Sequence, residues 1–360
     1  MNVHLKVLSF KKYSLSLIYL FFFMAVIFGC MEIFFEKLYG DLTRIGNFPE
    51  RYFGWQSPQQ HISPDLFKDY PLGKADILVI GDSISMGRTW QTKLIADGLK
   101  VSTMHWGSLK TDGALHPDLG HQLRSSGFKG RYVIIQSLER LFQPRMVALS
   151  KMSYFPIINS AHLGSSAKPE DQLTSRERVS WSKINGGGWG VKALYNSIKL
   201  FLYLPENFLK SGDVQAIKFN GCHLFSHRLC NYAIFVAGAN GDFDKKTFNS
   251  ITNVLTVNSN LKAAGIEPIW LIVPDKATVY LGYGVLNKYP YQNIWQLFAQ
   301  YPEITAPDLG TEFIKESKIV KDFYMPNDTH LSTNGYLYMG DFIVNEIHKL
   351  VANQPQSFSH

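Results

Sequence analysis

Apolar and polar positions follow three rhythms along this chain. The first is an uncharged run from Tyr13 to Met31, holding Leu15, Leu17, Ile18, Leu20, Phe21, Phe22, Phe23, Val26, Ile27 and Phe28. Wound as a helix, a run of that length crosses the hydrocarbon core of a bilayer. The second rhythm is a set of short apolar runs of strand length: Asp76–Ile80, Lys100–Met104, Tyr132–Gln136 and Glu267–Val273. The third is helical spacing between those runs. It appears in Trp90, Leu94, Ile95 and Leu99, across Lys245 to Ala264, and in Tyr336, Met339, Ile343, Ile347 and Leu350. The last of these helices begins near Ser332 or Thr333, both good caps. Further helices are expected at Val191–Leu204 and Tyr289–Gln300, and Pro307-Asp308-Leu309 reads as the end of a short strand.

Strands alternating with helices predict an α/β fold: a mostly parallel sheet with helices on both faces, three layers in all. The rhythm divides the chain into a tail (1–12), an anchor (13–31), a connecting region (32–74) rich in aromatics and turn formers, a domain (75–350) and a final tail (351–360). Residues 143–240 break the alternation and read as an insertion. Such a segment is either a solvent-facing elaboration or a lid, glycan groove or docking surface. No internal repeat is present.

Composition narrows the function classes. The chain has 360 residues, 46% of them hydrophobic and 18% charged, which is enough for one large domain. Its net charge of +7 suits an anionic surface or polymer, but no dense Lys/Arg run or nucleic-acid motif is present. Lys6, Lys11 and Lys12 precede the apolar run and place that end in the cytoplasm, so the chain after about residue 32 is expected outside the cytoplasmic membrane, held by a single pass. A cleaved signal peptide is the competing reading. Ile27-Phe28-Gly29-Cys30 also loosely matches a lipoprotein box, but the bulky Phe28 and the apolar continuation to Phe35 favour an uncleaved helix. Cys222 and Cys230 lie in the exported part and read as a disulfide. His223 and His227 lie between them, yet the spacing fits no standard zinc pattern. No metal is therefore expected.

Candidate chemistry sits at two places. Val79-Ile80-Gly81-Asp82-Ser83 runs a strand into a turn that presents a serine at the sheet's end, where ligands bind. Asp328-Thr329-His330 lies ahead of the last helix and offers a base and a group to orient it. The plain alternative is that Asp82 or Ser83 caps the next helix and His330 is a loop histidine.

These motifs resemble the SGNH, or GDSL, hydrolase superfamily. Three details are similar to its alginate O-acetyltransferase group: the Asp328-x-His330 spacing, where ordinary GDSL esterases have an aspartate at the position of Asn327; the Pro274-x-Lys276…Tyr280 segment after a strand; and the Glu139-Arg140 pair after another. The order is rearranged, because in that group the Asp-x-His segment precedes the Gly-Asp-Ser segment. The resemblance covers roughly residues 75–142 and 241–350.

The resemblance implies an SGNH-like three-layer fold with Ser83 as nucleophile, His330 as general base and acid, and Asp328 as its partner. It implies oxyanion donors at the Ser83 N–H and Gly107. The usual third donor, an asparagine, is replaced by Gln136-Ser137, so Gln136 or Ser137 would substitute. Lys276, Tyr280 and Arg140 would frame the site, as solvated or ion-paired surface groups otherwise. Trp90, His105 and Trp106 either stack on sugar rings or pack in the core or rim.

The implied function is an extracytoplasmic O-acetyltransferase acting on a cell-surface or exported polysaccharide. Its acyl donor would come from a multi-pass membrane acyltransferase partner, with no cofactor of its own. A glycan acetylesterase uses the same triad, and a non-catalytic scaffold binding glycan or partner is the alternative from another class.

Overall fold

The structure is a computed structural model that describes residues 2–34, 38–54, 56–108, 118–149, 189–202, 208–236, 243–286 and 292–352. Helix α1 (Asn2–Phe34) contains a stretch, Phe10–Cys30, that is long and apolar enough to cross a membrane and has no protein packed around it. Two short helices follow, α2 (Asp41–Gly46) and α3 (Glu50–Phe53).

The main body is a four-stranded parallel sheet in the order β2-β1-β3-β7. Its strands are β1 (Ile77–Gly81), β2 (Val101–His105), β3 (Tyr132–Leu138) and β7 (Glu267–Val273). Between β1 and β2 run α4 (Ser83–Met86) and α5 (Gln91–Ala96), and α6 (Leu119–Ser125) precedes β3. After β3 come α7 (Glu139–Leu149) and α8 (Trp189–Leu202), then β4 (Phe208–Ser211), β5 (Val214–Lys218) and β6 (Tyr232–Val236). Helix α9 (Phe243–Ala263) leads into β7, and α10 (Lys276–Leu281), α11 (Ile294–Phe298), α12 (Leu309–Glu316) and α13 (Thr333–Ala352) complete the chain.

Both faces of the sheet are covered, which explains why its strands read as continuous apolar runs. Successive side chains point to opposite faces. Leu78, Ile80, Val133, Ile135, Trp270 and Ile272 face a core closed by α6, α7, α9 and α11. Ile77, Val79, Ile134, Ile269 and Leu271 face a second core, closed by α5, α12 and the Tyr336, Met339, Ile343 and Ile347 stripe of α13. The protein is thus mixed α/β with helices on both sides of a parallel sheet. From β1 the chain turns to β2 on one side and later to β3 on the other. The carboxyl end of β1 is therefore a point where strand order reverses, the place where open α/β sheets hold ligands.

Strands β4, β5 and β6 form a separate antiparallel sheet inside the segment read as an insertion. The boundary at 143 falls within α7 rather than at an element's end. The connecting region is also more than a connector: Leu42, Phe48 and Phe53 are fully buried against Val214, Ala216, Tyr232 and Ile234 of this sheet. Cys222 and Cys230 are disulfide-bonded in the β5–β6 loop, and Cys30 is a free thiol on the exposed surface of α1.

Two expectations are corrected and one open choice is decided. Pro307-Asp308-Leu309 ends no strand; the Asp308 carboxylate instead caps α12 by accepting from the Thr311 N–H at 2.9 Å. The helix expected at Tyr289–Gln300 is confined to Ile294–Phe298 among the described residues, because Asn293 caps it at its start. Trp90 and Trp106 are 0% and 2% exposed, so both belong to the core and neither is free to stack on a sugar. Residues 150–188, which include the Gly164-Ser165-Ser166 and Gly186-Gly187-Gly188 stretches, lie outside the described residues. So do the ends of the helices expected at 191–204 and 289–300 and most of the tail at 351–360.

Candidate active site

Gly81 ends β1 inside a space with no room for a side chain: a Cβ there would meet Ser85 and lie 2.8 Å from the Gln136 amide oxygen. The following Asp82 is the cap of α4, its carboxylate accepting from the Ile84 N–H at 3.1 Å. The same carboxylate accepts from the Leu138 N–H (3.0 Å) and from the Arg145 guanidinium (2.9 Å). These bonds lock the turn between the ends of β1 and β3 and leave Ser83, the first residue of α4, exposed.

His330 reaches Ser83 from the loop ahead of α13. Its Nε2 is 2.9 Å from Ser83 Oγ, and its Nδ1 is 2.6 Å from Asp328 Oδ1. Asp328 Oδ1 also accepts from the His330 N–H at 3.0 Å, so one carboxylate fixes both the backbone and the ring of the histidine. Burial works to raise the Asp328 pKa, but the hydrogen bond and charge of His330, together with the Asp41 N–H, hold it down at about 2. The structure thus brings Ser83, His330 and Asp328 into one continuous line of hydrogen bonds.

The connecting region enters this site. The Asp41 N–H donates to Asp328 Oδ2 at 2.9 Å, and Asp41 Oδ2 lies 3.5 Å from His330 Nδ1. Burial, then repulsion from Asp328, pushes the Asp41 carboxyl up. Gly40 makes this approach possible, since a Cβ there would overlap the Asn327 carbonyl, which accepts from the Leu42 N–H at 3.0 Å. Glu50, itself pushed up by burial, ties Thr43, the Tyr39 N–H and the Asn327 amide together behind the triad.

The other residues singled out in the sequence surround this centre without touching Ser83. Lys276 is buried and donates to the carbonyls of Met325 and Pro326, both at 2.8 Å, so it shapes the loop that carries Asp328. Desolvation brings its pKa down to about 7. Tyr280 packs its ring on Phe225 and accepts from the Tyr324 N–H at 3.2 Å; burial pushes its hydroxyl up. Arg140 is ion-paired to Asp275, whose N–H donates to Glu139 Oε2 at 2.8 Å. The Glu139-Arg140 pair therefore bolts the end of β3 to the segment after β7.

The proposed oxyanion donors resolve differently. Gln136 is fully buried, and its amide oxygen accepts from the Asp82 N–H (2.9 Å) and the Ser85 hydroxyl (2.8 Å), while its Nε2 has no partner among the described residues. It braces the turn from behind rather than facing an acyl group. Ser137 is buried too, donating to the Leu138 carbonyl and accepting from Arg145 at 2.7 Å. The Gly107 N–H donates to His105 Nδ1 at 2.9 Å and is taken up in this arrangement. His105 itself is exposed at the end of β2. The Ser83 N–H, at the start of α4, is the donor left for an oxyanion.

Two residues of the candidate site carry no motif in the sequence. Arg145 lies in the stretch that reads as an insertion, yet it grips Asp82 and lies over the Trp106 ring at 4.7 Å. Asp41 lies in the region that reads as a connector, and its only sequence signal is that it follows a glycine. Asp41, Asp328 and His330 bring potential metal-ligand atoms within 4.8 Å of one another. The facing atoms of Asp328 and His330 are already hydrogen-bonded, which suits a triad better than a cation. Compared with known protein families, curated proteins and solved structures, the chain matches none of them.

Proposed function

We propose that this chain is a membrane-anchored O-acyltransferase of the SGNH type that moves acetyl groups onto a cell-surface or exported polysaccharide. The observation that carries this reading is the hydrogen-bonded line Ser83–His330–Asp328 at the carboxyl end of a parallel sheet. In the first step Ser83 Oγ attacks the acetyl carbonyl of the donor. His330 Nε2 takes the serine proton and delivers it to the leaving oxygen, which departs as an alcohol and leaves acetyl-serine. A sugar hydroxyl then attacks that ester, His330 accepts its proton and returns it to Ser83 Oγ as the acyl–serine bond breaks, and the acetylated sugar leaves. Asp328 holds the ring in the tautomer that presents Nε2 as base and stabilises the imidazolium. The Ser83 N–H faces the charge that develops on the carbonyl oxygen.

The apolar helix α1, with Lys6, Lys11 and Lys12 before the span, supports an extracytoplasmic catalytic unit. Donor acetyl groups then have to arrive across the membrane, and a multi-pass acyltransferase is the partner that supplies them. A second reading, a glycan acetylesterase, is favoured by the exposure of Ser83 to solvent, which lets water replace the sugar hydroxyl. The test is to incubate the full chain with an activated acetyl ester, with and without acidic or neutral oligosaccharides, and to follow acetyl mass on protein and sugar. An acetyl adduct that passes to sugar and is lost in Ser83→Ala is the expected result. Release to water alone establishes the esterase, and turnover unchanged in Ser83→Ala overturns both.

A further inference from the structure

Apart from α1, helix α8 presents an apolar stripe that faces outward. Its inner face is fixed to the body: Ala193, Asn196 and Leu200 are buried, and the Asn196 amide donates to the Gly46 and Asn47 carbonyls at 2.8 and 3.0 Å. Its outer face presents Tyr195, Ile198, Phe201 and Leu202, which are 57%, 47%, 79% and 61% exposed. These positions fall at i, i+3, i+6 and i+7, a single stripe on one side of a helix. A contiguous apolar surface of this kind is uncommon on a protein that meets only water.

The same helix lies beside α1, the helix that contains the span: the two approach within 8 Å between Cα atoms. Two lysines border the stripe. Lys192 is exposed, and Lys199 Nζ sits 4.5 Å from the Tyr195 ring centre. An aromatic and flanking lysines beside an aliphatic stripe are the composition of a helix that lies in the headgroup layer. With 14 residues, α8 is about 21 Å long, too short to cross a bilayer.

We propose that the outward stripe of α8 is seated in the interfacial layer of the bilayer that α1 crosses. The occupant is lipid: Tyr195, Ile198, Phe201 and Leu202 enter the boundary between headgroups and acyl chains, and Lys192 and Lys199 meet anionic headgroups. The catalytic unit is then held to the membrane at two points and cannot swing about the end of α1. This rests on the reading of α1 as a membrane span.

The test uses the full chain reconstituted into vesicles of phosphatidylethanolamine and phosphatidylglycerol. An environment-sensitive fluorophore is placed on a single cysteine, and quenching is measured with lipids carrying a nitroxide near the headgroup end or near the methyl end of the acyl chain. Native Cys30, the free thiol of the span, reports on the anchor itself. In a Cys30→Ser background, Ile198→Cys and Phe201→Cys report on α8, and Lys129→Cys is the water control. Lys129 is exposed just before the amino end of β3, on the edge of the sheet opposite Ser83 and Asp41. The expected result is that labels at 198 and 201 shift to the blue and lose most of their emission to the shallow quencher, while the label at 129 keeps its emission. If Cys30 is quenched but 198 and 201 are not, the α8 proposal fails and the anchor stands. If Cys30 is not quenched, the anchor fails and the proposal with it. Blue-shifted labels at 198 and 201 that no lipid quenches mean that protein covers the stripe, which also overturns the proposal.

Discussion

Replacing Asp41 with asparagine isolates the carboxylate that the connecting region brings to the triad. Its Oδ2 lies 3.5 Å from His330 Nδ1, and the Asp41 side chain is 26% exposed. If Ser83 attacks an ester, the proton it loses makes His330 an imidazolium in the transition state, and Asp41 stabilises that charge. A unit-charge pair at this distance is worth about 5 kcal/mol at the dielectric of a protein surface and about 1 kcal/mol in water. For a partly exposed pair, about 2 kcal/mol is the reasonable middle, or roughly a 30-fold fall in kcat. Asp328→Asn acts differently, because Asp328 sets the ring's tautomer, and the loss of a triad carboxylate costs on the order of 10,000-fold. Stability should move the other way. Burial and the neighbouring Asp328 already penalise the Asp41 charge, so Asp41→Asn removes a repulsion while its backbone N–H still holds Asp328. The assay is kcat on an activated acetyl ester for wild type, Asp41→Asn and Asp328→Asn, beside thermal unfolding of each. A kcat for Asp41→Asn within twofold of wild type, or a loss as deep as that of Asp328→Asn, would refute this division of labour.

Gln136→Leu removes the acceptor of two buried donors, the Asp82 N–H and the Ser85 hydroxyl, at about 1–3 kcal/mol for each group left unpaired. Its unfolding midpoint should fall by several degrees, and an unchanged midpoint would show that the turn is held elsewhere. Asp328 is held at about 2 against an ordinary value of 3.8. A depressed carboxyl contributes stability that is present above the higher value and lost as pH falls through the lower one. On the order of 2 kcal/mol should therefore disappear between roughly pH 4 and pH 2, and Asp328→Asn should flatten that part of the stability–pH curve. Cys222 and Cys230 close a loop with a sequence separation of 8, so Cys222→Ser with Cys230→Ser should cost about 2.5 kcal/mol in chemical denaturation.

What was legible in the sequence was what local pattern dictates. The four strands of the parallel sheet are buried on both faces, so each appears as an unbroken apolar run, and the stripe of α13 appears at helical spacing. Ser83, Asp328 and His330 stood out because a strand-turn-helix and a short loop before a helix constrain them within a few residues. Asp41 did not, because its approach to Asp328 spans 287 positions and depends on Gly40 fitting under the Asn327 carbonyl. The role of Gln136 was open for another reason: an amide both donates and accepts, and only the nearby Asp82 N–H and Ser85 hydroxyl decide which end is used. Asp308 before Leu309 could end a strand or cap a helix, and the hydrogen bond to the Thr311 N–H decides for the cap.

The hydrogen bond from Asp41 to Asp328 has a consequence for reach. Only seven residue steps separate Phe34, where α1 ends, from Asp41, and even fully extended they cover about 25 Å. With α1 in a bilayer, Asp328 sits on a leash of that length, and under the proposed acetyl transfer a polymer would be modified only where it passes through that thin shell above the lipid. The leash is also tied to the machinery rather than to a neutral surface. Tension on the anchor would be felt first at Asp328, the residue hydrogen-bonded to the His330 ring, so under the proposed function mooring and turnover become one mechanical variable.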